Sequence, residues 1–337
     1  MKTRLTPLLI ALLFMVNTSN AQEKPDSVHK LFFGIYFKSV AIKQTTAMFE
    51  ADFYWWLRFE KVNDEVLESH LEDFEFINGV NIKRKIDERK EFTDTLTHKT
   101  YTYITGRTHG KFHFIPAYHL YPMDKETLDI KIESITEKIS NCILIPDTGA
   151  GSNYSATCAQ QIQEIHIAHM QITGLRYSGV PTVYNTNFGD LTWSKEANYS
   201  SLTYTIFLKR NFTGYVVKIL IPLIIILLMA YLVYYLPPKE IEVVSALAVT
   251  SLLSAIAIQL TTSEPPCDSP KISDWIYYLC YLLITLTMAQ NIHTYNLHHL
   301  GDTVSCRRYE HYGRYLFPIT FVIGLAIILL YGASCNG

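Results

Sequence analysis

Residues 240–264 read EIEVVSALAVTSLLSAIAIQLTTSE, and this stretch decides how the rest of the 337-residue chain is read. About 20 helical residues cross the ~30 Å hydrocarbon core of a bilayer, so the stretch is long enough to span one. Yet Ser245, Thr250, Ser251, Ser254, Gln259, Thr261 and Thr262 interrupt it, and Glu240, Glu242 and Glu264 mark its ends. Polar groups at membrane depth face other helices or water. The stretch is therefore expected to line an aqueous pore, with helix–helix packing through small and polar residues as the competing explanation.

Working outward, three further runs are apolar: Val216–Leu236 with Pro222 inside it and Pro237-Pro238 after it, Trp275–Ile292, and Tyr315–Tyr331 with Pro318 near its start. With Glu240–Ser263 they predict four membrane helices, at about 216–236, 240–263, 275–292 and 315–331 in a transmembrane domain over 214–337. Tyrosines and Trp275 gather at their ends, as interface anchors do. Charged residues make up only 18% against 49% hydrophobic, which fits a membrane portion; 29 Lys+Arg against 31 Asp+Glu leave no polybasic surface, so no nucleic-acid partner is expected.

Upstream, Lys2 and Arg4 precede an apolar run from Leu8 to Val16, and Ser19-Asn20-Ala21 follows; residues 1–21 read as a signal peptide, the run being short for an anchor helix. Residues 22–213 would then be exported. They alternate as strands do. In FEADFYWWLRFEK, Phe53, Trp55, Leu57 and Phe59 face one way and Tyr54, Trp56 and Arg58 the other. Leu128, Ile130 and Ile132 alternate with Asp129, Lys131 and Glu133, and Leu202–Leu208 reads as a last strand. GRTHG at 106–110, between two β-prone runs, reads as a hairpin turn, and 145–160 as a long loop. Many short strands in one segment predict an all-β sandwich.

With an exported N-terminal part, the first and third helix connections are cytoplasmic and the C-terminus lies outside. Lys239, Arg307, Arg308 and Arg314 fall inside against Lys271 in the short outer connection, while Lys218, on the outer side, can snorkel. The connection 296–314 is too short for a further domain. Of six cysteines, Cys142, Cys158, Cys267 and Cys335 lie outside, which allows three pairings. Cys142–Cys158 and Cys267–Cys335 join segments expected to be near each other; free buried thiols are the alternative.

Several local stretches carry a family resemblance. Tyr121-Pro122-Met123-Asp124 resembles an aromatic-Pro-aromatic-Asp signature. Leu208-Lys209-Arg210 with Tyr215 resembles a junction of last strand and first helix, and Ile221-Pro222 its proline. Tyr235-Leu236-Pro237-Pro238 before Glu242 is similar to the link into the pore helix of acetylcholine- and serotonin-gated cation channels. Together these resemble one subunit of a pentameric ligand-gated ion channel of the Cys-loop receptor superfamily. The two cysteines that name the family would fall at Phe114 and Leu128, and the cytoplasmic connection is short; both features are similar to the prokaryotic branch.

The resemblance implies an extracellular immunoglobulin-like sandwich, a four-helix membrane domain and a homopentamer around a central pore, in the plasma membrane with the N-terminal domain and C-terminus extracellular or periplasmic. Counted from the Tyr235–Pro238 link, the family's pore-facing positions become Glu242, Ser245, Val249, Leu252, Ile256, Gln259 and Ser263. Their spacing makes one helical stripe. Glu242 would form a cation-selecting acidic ring, and Leu252 with Ile256 a gate that closes by dewetting. The rival register, Ile241, Val244, Ala248, Ser251, Ala255, Ile258 and Thr262, has no acidic ring.

By the same resemblance an agonist binds between subunits. Glu75, Glu133, Tyr184, Phe188, Trp193 and Tyr199 would come from one subunit and Tyr54, Trp56 and Arg58 from the next. Acids beside aromatic rings suit an ammonium group, although Glu133-Ser134-Ile135-Thr136 lacks the ring of amine-binding members. The agonist is a small molecule or protons, and the permeant ions are cations. Ile42–Thr45, Pro122, Asp124, Arg210, Pro265 and Pro266 would couple sandwich to helices, with Asp124 and Arg210 as a charged pair. No cofactor, metal site or catalytic motif is expected; His166 and His169 lack a third ligand at useful spacing. The competing class is a membrane-anchored sensor that conducts nothing.

Overall fold

The alternation in residues 49–61 sets the first layer. In a computed structural model, which describes residues 28–335 apart from 96, 139–140, 148–164, 166, 187 and 190–196, Phe53, Trp55, Leu57 and Phe59 are each no more than 1% exposed. Tyr54, Trp56 and Arg58 point the other way, because successive strand residues face opposite sides. This strand, β2 (Met48–Glu60), sits in a sheet with β1 (His29–Lys43), β4 (Gly79–Thr93), β5 (Thr100–His113) and β7 (Cys142–Pro146). The order is β4-β5-β2-β1-β7, with only the β1–β7 pair parallel.

The second sheet runs β3 (Phe74–Phe76), β6 (Lys125–Lys138), β10 (Ala197–Arg210) and β8 (Met170–Gly179), with β9 (Thr182–Tyr184) paired to β10. A short helix, α1 (Glu65–Glu72), is capped by Asp64, whose carboxylate accepts from the Val66 and Leu67 amides. The two sheets meet over an aromatic core: Trp55 lies 5.0 Å from Phe74 and Phe53 lies 5.6 Å from Phe76, both edge to face. Tyr204 donates across the core to the Phe33 carbonyl at 2.6 Å, which satisfies a buried hydroxyl and ties sheet to sheet. Phe114 and Leu128, 8% and 0% exposed, close this core by apolar packing.

The GRTHG reading as a hairpin is overturned. β5 runs unbroken through Thr100–His113 and pairs with β2 along its whole length. Gly106 and Gly110 are not turn residues; a Cβ at Gly106 would strike the Lys85 carbonyl and the Trp55 ring, and one at Gly110 the Ile82 side chain. Glycine marks close approach here rather than reversal.

Beyond Arg210 the chain becomes helical: α2 (Phe212–Tyr235), α3 (Ile241–Thr261), α4 (Ile272–His299) and α5 (Thr303–Ser334), all long and apolar enough to cross a membrane. α2 contains a π turn at Val216–Leu220 immediately before Ile221-Pro222, where proline removes one backbone donor. The expected spans were too short at two ends. α4 continues to His299 and α5 begins at Thr303, so most of the supposed 296–314 connection is helix. Hydropathy registers the apolar part of a helix, whereas Asp302, capping the Ser305 amide, sets where α5 starts.

Candidate pore helix, ligand cage and junction

α3 has a clear inner face. Val244, Ala248, Ser251 and Ala255 are 3, 1, 4 and 0% exposed, buried within the chain itself. These belong to the rival register, so that stripe packs within the bundle, as small residues do at helix contacts. In the other register Glu242, Val249 and Ser263 are exposed, and Ser245, Leu252, Ile256 and Gln259 half-buried. Gln259 departs from the expectation that its side chain is free for a pore. Tyr281 of α4 donates to its Oε1 at 2.6 Å and its amide donates to Asp274 at 3.3 Å. Thr261 and Thr262 return their hydroxyls to the Ala257 and Ile258 carbonyls, so helix backbone accounts for them.

The sandwich gathers five of the six residues expected on one side of the ligand site. Antiparallel pairing of β3 with β6 sets Glu75 opposite Glu133. Tyr184, carried by β9, donates to Glu133 Oε1 at 3.0 Å. Its ring lies 6.0 Å from Tyr199 and 5.4 Å from Phe188, both edge to face. Phe188 is 61% exposed, whereas Tyr199 and Glu133 are buried. Glu133 Oε2 is buried and has no hydrogen-bond partner among the described residues. Burial pushes the Tyr184 phenol up to about 12, helped by its bond to Glu133 and the nearby Glu75 charge, and burial raises Tyr199 too. A negative, ring-walled cleft of this kind favours an organic cation. Trp193 lies outside the described residues.

Tyr54, Trp56 and Arg58 stand on the other sheet, so the single chain does not bring them to this cluster. Trp56 Nε1 donates to Asp147 Oδ2 at 2.9 Å, and Arg58 pairs with Asp147 Oδ1 at 3.0 Å. The Arg58 guanidinium also lies 4.6 Å from the Phe32 ring and 5.3 Å from Tyr101. Tyr54 instead neighbours Arg107, which is paired with Asp52 and holds that carboxyl below its usual range. Asp147 was missed in the sequence because it sits at the edge of a stretch read only as loop.

At the junction the expected pair is formed. Arg210 donates to both carboxylate oxygens of Asp124 at 2.6 and 2.8 Å, with both side chains buried. Its guanidinium lies 4.9 Å from the Tyr121 ring centroid, and Tyr121 meets Tyr215 edge to face at 5.9 Å. Ser273 at the start of α4 donates its amide to the Tyr121 carbonyl at 3.1 Å, a direct bond between sandwich and helices. Pro122 and Pro265 are buried, Pro266 is exposed, and Gln44–Thr46 forms a short 3-10 turn after β1. Glu264 accepts from Ser273 at 2.8 Å and pairs with Lys271 at 3.0 Å, which stiffens the connection between α3 and α4.

A third acid belongs to this group. Glu126 is 1% exposed and accepts the Ala117 amide through both oxygens at 3.2 and 3.1 Å. Burial, with Asp124 beside it, pushes its carboxyl up to about 8.

The bond expected between Cys267 and Cys335 is not formed. Both thiols are free and exposed; Cys267 lies 3.5 Å from the Ser269 hydroxyl. The end of α5 is held instead by packing, Gly332 lying against Ile272 and Met123. Cys158 lies outside the described residues, and Cys142 donates to Ser134 at 3.5 Å.

No protein-family model matches the chain. The chain is 35% identical to the human neuronal acetylcholine receptor subunit alpha-10 over 108 residues, 32% of this chain and 24% of that subunit. It is 32% identical to human alpha-9 over 139 residues, 41% of this chain and 28% of that subunit. It is 36% identical to Gallus gallus alpha-9 over 106 residues, 31% of this chain and 22% of that subunit. The match thus spans about a quarter of the length of these relatives. A β-sandwich followed by four long apolar helices matches the fold of the superfamily to which they belong.

Proposed function

Because its homologues are acetylcholine receptor subunits of the pentameric Cys-loop superfamily, we propose that this chain is one of five identical subunits of a ligand-gated, cation-selective channel. The observation that carries this reading is the sidedness of α3. Its small-residue face is buried within the subunit, which leaves the Glu242–Ser263 side and the exposed Leu253 and Leu260 for a central axis and neighbouring copies.

In that assembly five Glu242 carboxylates ring the cytoplasmic mouth and concentrate cations. Ser245 supplies oxygens to a partly dehydrated ion. Leu252 and Ile256 form the apolar constriction that closes when it dries. Gln259 acts through α4 rather than on the ion, since its amide is engaged there.

The agonist is a small organic cation held at the Glu75–Glu133–Tyr184–Phe188–Tyr199 cage, with Tyr54, Trp56 and Arg58 of the adjacent subunit closing the cleft. Binding there is worth work at the pore only if it favours one packing of the helices over another. The Asp124–Arg210 pair and the Tyr121–Ser273 bond are the contacts through which the sandwich biases them. The test is electrical: express the chain in the plasma membrane, apply small amines and acid steps, and record. Cation currents support the channel; silence in a verified surface pentamer under every stimulus supports a non-conducting sensor.

A further inference from the structure

Of the residues assigned to the ligand cleft, Arg58 alone is basic, and it would face a ligand that is itself a cation. Asp147 meets that charge. The parallel ladder of β1 and β7 ends at Phe33 and Pro146, and the Asp147 amide extends it by donating to the Phe33 carbonyl at 2.8 Å. That bond fixes the backbone from which the carboxylate reaches β2. One oxygen accepts from Arg58 Nη2 at 3.0 Å and the other from the Trp56 indole at 2.9 Å. The Arg58 and Asp147 side chains are 23 and 11% exposed, and the guanidinium also lies against the Phe32 and Tyr101 rings. A pair this enclosed is screened little by salt. Trp56 is held from a second side, its ring lying so close over Gly34 that a Cβ there would strike it. Arg107, next to Tyr54, is neutralised in the same manner by Asp52.

A free guanidinium at Arg58 would take a carboxylate in a two-pronged bond and repel an ammonium group. Paired with Asp147, it does neither. The cleft is left with the Glu75 and Glu133 carboxylates, and a ligand whose one charge is positive suits it better than one that also carries a carboxylate. Resting on the cage reading above, we propose that Asp147 sets agonist specificity: by holding Arg58 it favours simple amines over amino acids. Asp147 does not touch the ligand. It is a positioning residue that acts through Arg58, while its second oxygen keeps the Trp56 ring in place.

The experiment is titration calorimetry of the full-length assembly with butylamine and with its carboxylated analogue, 5-aminopentanoate. The unaltered protein is expected to bind butylamine more tightly. Asp147→Asn keeps an acceptor for the Trp56 indole and removes the charge that holds Arg58. It should weaken butylamine about threefold and strengthen 5-aminopentanoate about tenfold, the effect of one hydrogen bond to a charged group. Adding Arg58→Gln to Asp147→Asn should cancel the gain for 5-aminopentanoate. A carboxylate that served structure alone would lose both ligands together and leave their ratio in place. An unmoved ratio in Asp147→Asn, or a gain that survives Arg58→Gln, therefore overturns the proposal. Glu133→Gln reports on the cage itself and should weaken both ligands. If it does so while the ratio stays fixed in Asp147→Asn, the cage stands and only the role of Asp147 falls; if it changes neither ligand, both readings fall.

Discussion

Arg210 and Asp124 meet in a two-pronged ion pair, 2.6 Å from Nε and 2.8 Å from Nη2, at the point where the last strand gives way to the first membrane helix. Both are nearly inaccessible, 6% and 0% for the side chains. Breaking such a pair strands a buried charge, which costs about 3–5 kcal/mol. Arg210→Met is therefore expected to lower the unfolding temperature of the purified protein sharply. In a double-mutant cycle, Asp124→Leu with Arg210→Met should cost less than the sum of the single changes. An additive cycle would show that the pair contributes no coupling.

Glu126 makes the same junction sensitive to pH. Its folded pKa is raised to about 8 by burial, whereas in the unfolded chain it lies near the ordinary carboxylate value. A raised folded pKa means that stability is full below the unfolded value and declines as pH climbs toward 8. The slope for one such group is about 1.4 kcal/mol per pH unit. Glu126→Gln mimics the protonated acid, so it should flatten the pH dependence of thermal unfolding between roughly pH 5 and 8. A variant whose unfolding temperature still falls with the same slope would place the titrating group elsewhere.

The cage predicts a graded loss. Glu133→Gln removes a buried charge that Tyr184 contacts, and Tyr184→Phe removes only that hydrogen bond. Half-maximal concentration for a small amine agonist should rise about tenfold or more in the first and about threefold in the second, with surface expression unchanged. Equal responses from both variants and the unaltered protein would move the agonist away from this cleft.

The close approach at Gly106 gives a prediction about folding alone. A methyl group there must displace the Lys85 backbone and the Trp55 ring. Gly106→Ala is expected to cost about 1–3 kcal/mol by overpacking. Denaturation of the purified protein measures it; a neutral effect would mean that β4 and β5 can separate without penalty.

These residues show how legible the chain was. The alternation of β2 and the four apolar spans lay in residue type and spacing, where burial acts on one face at a time, whereas the pairing of Asp124 with Arg210 was implied by the family resemblance of the stretches around them. GRTHG misled because glycine serves both reversal and close approach, and only the position of Trp55 and Ile82 decides between them. Helix ends eluded hydropathy because α4 and α5 extend past their apolar cores. Asp147 and Glu126 gave little signal, since a lone acid reveals its partners only once strands are paired. A hint for Glu126 was available: it follows Asp124 by two residues, the spacing that places strand side chains on one face.

The central claim is that α3 lines a cation pathway with Glu242 as its charged ring, and the reversal potential tests it most directly. In a salt gradient, agonist-evoked current through the unaltered protein should reverse near the cation equilibrium potential, and Glu242→Ala should shift that reversal toward zero. A reversal potential that follows the anion gradient, or that Glu242→Ala leaves in place, would contradict the account.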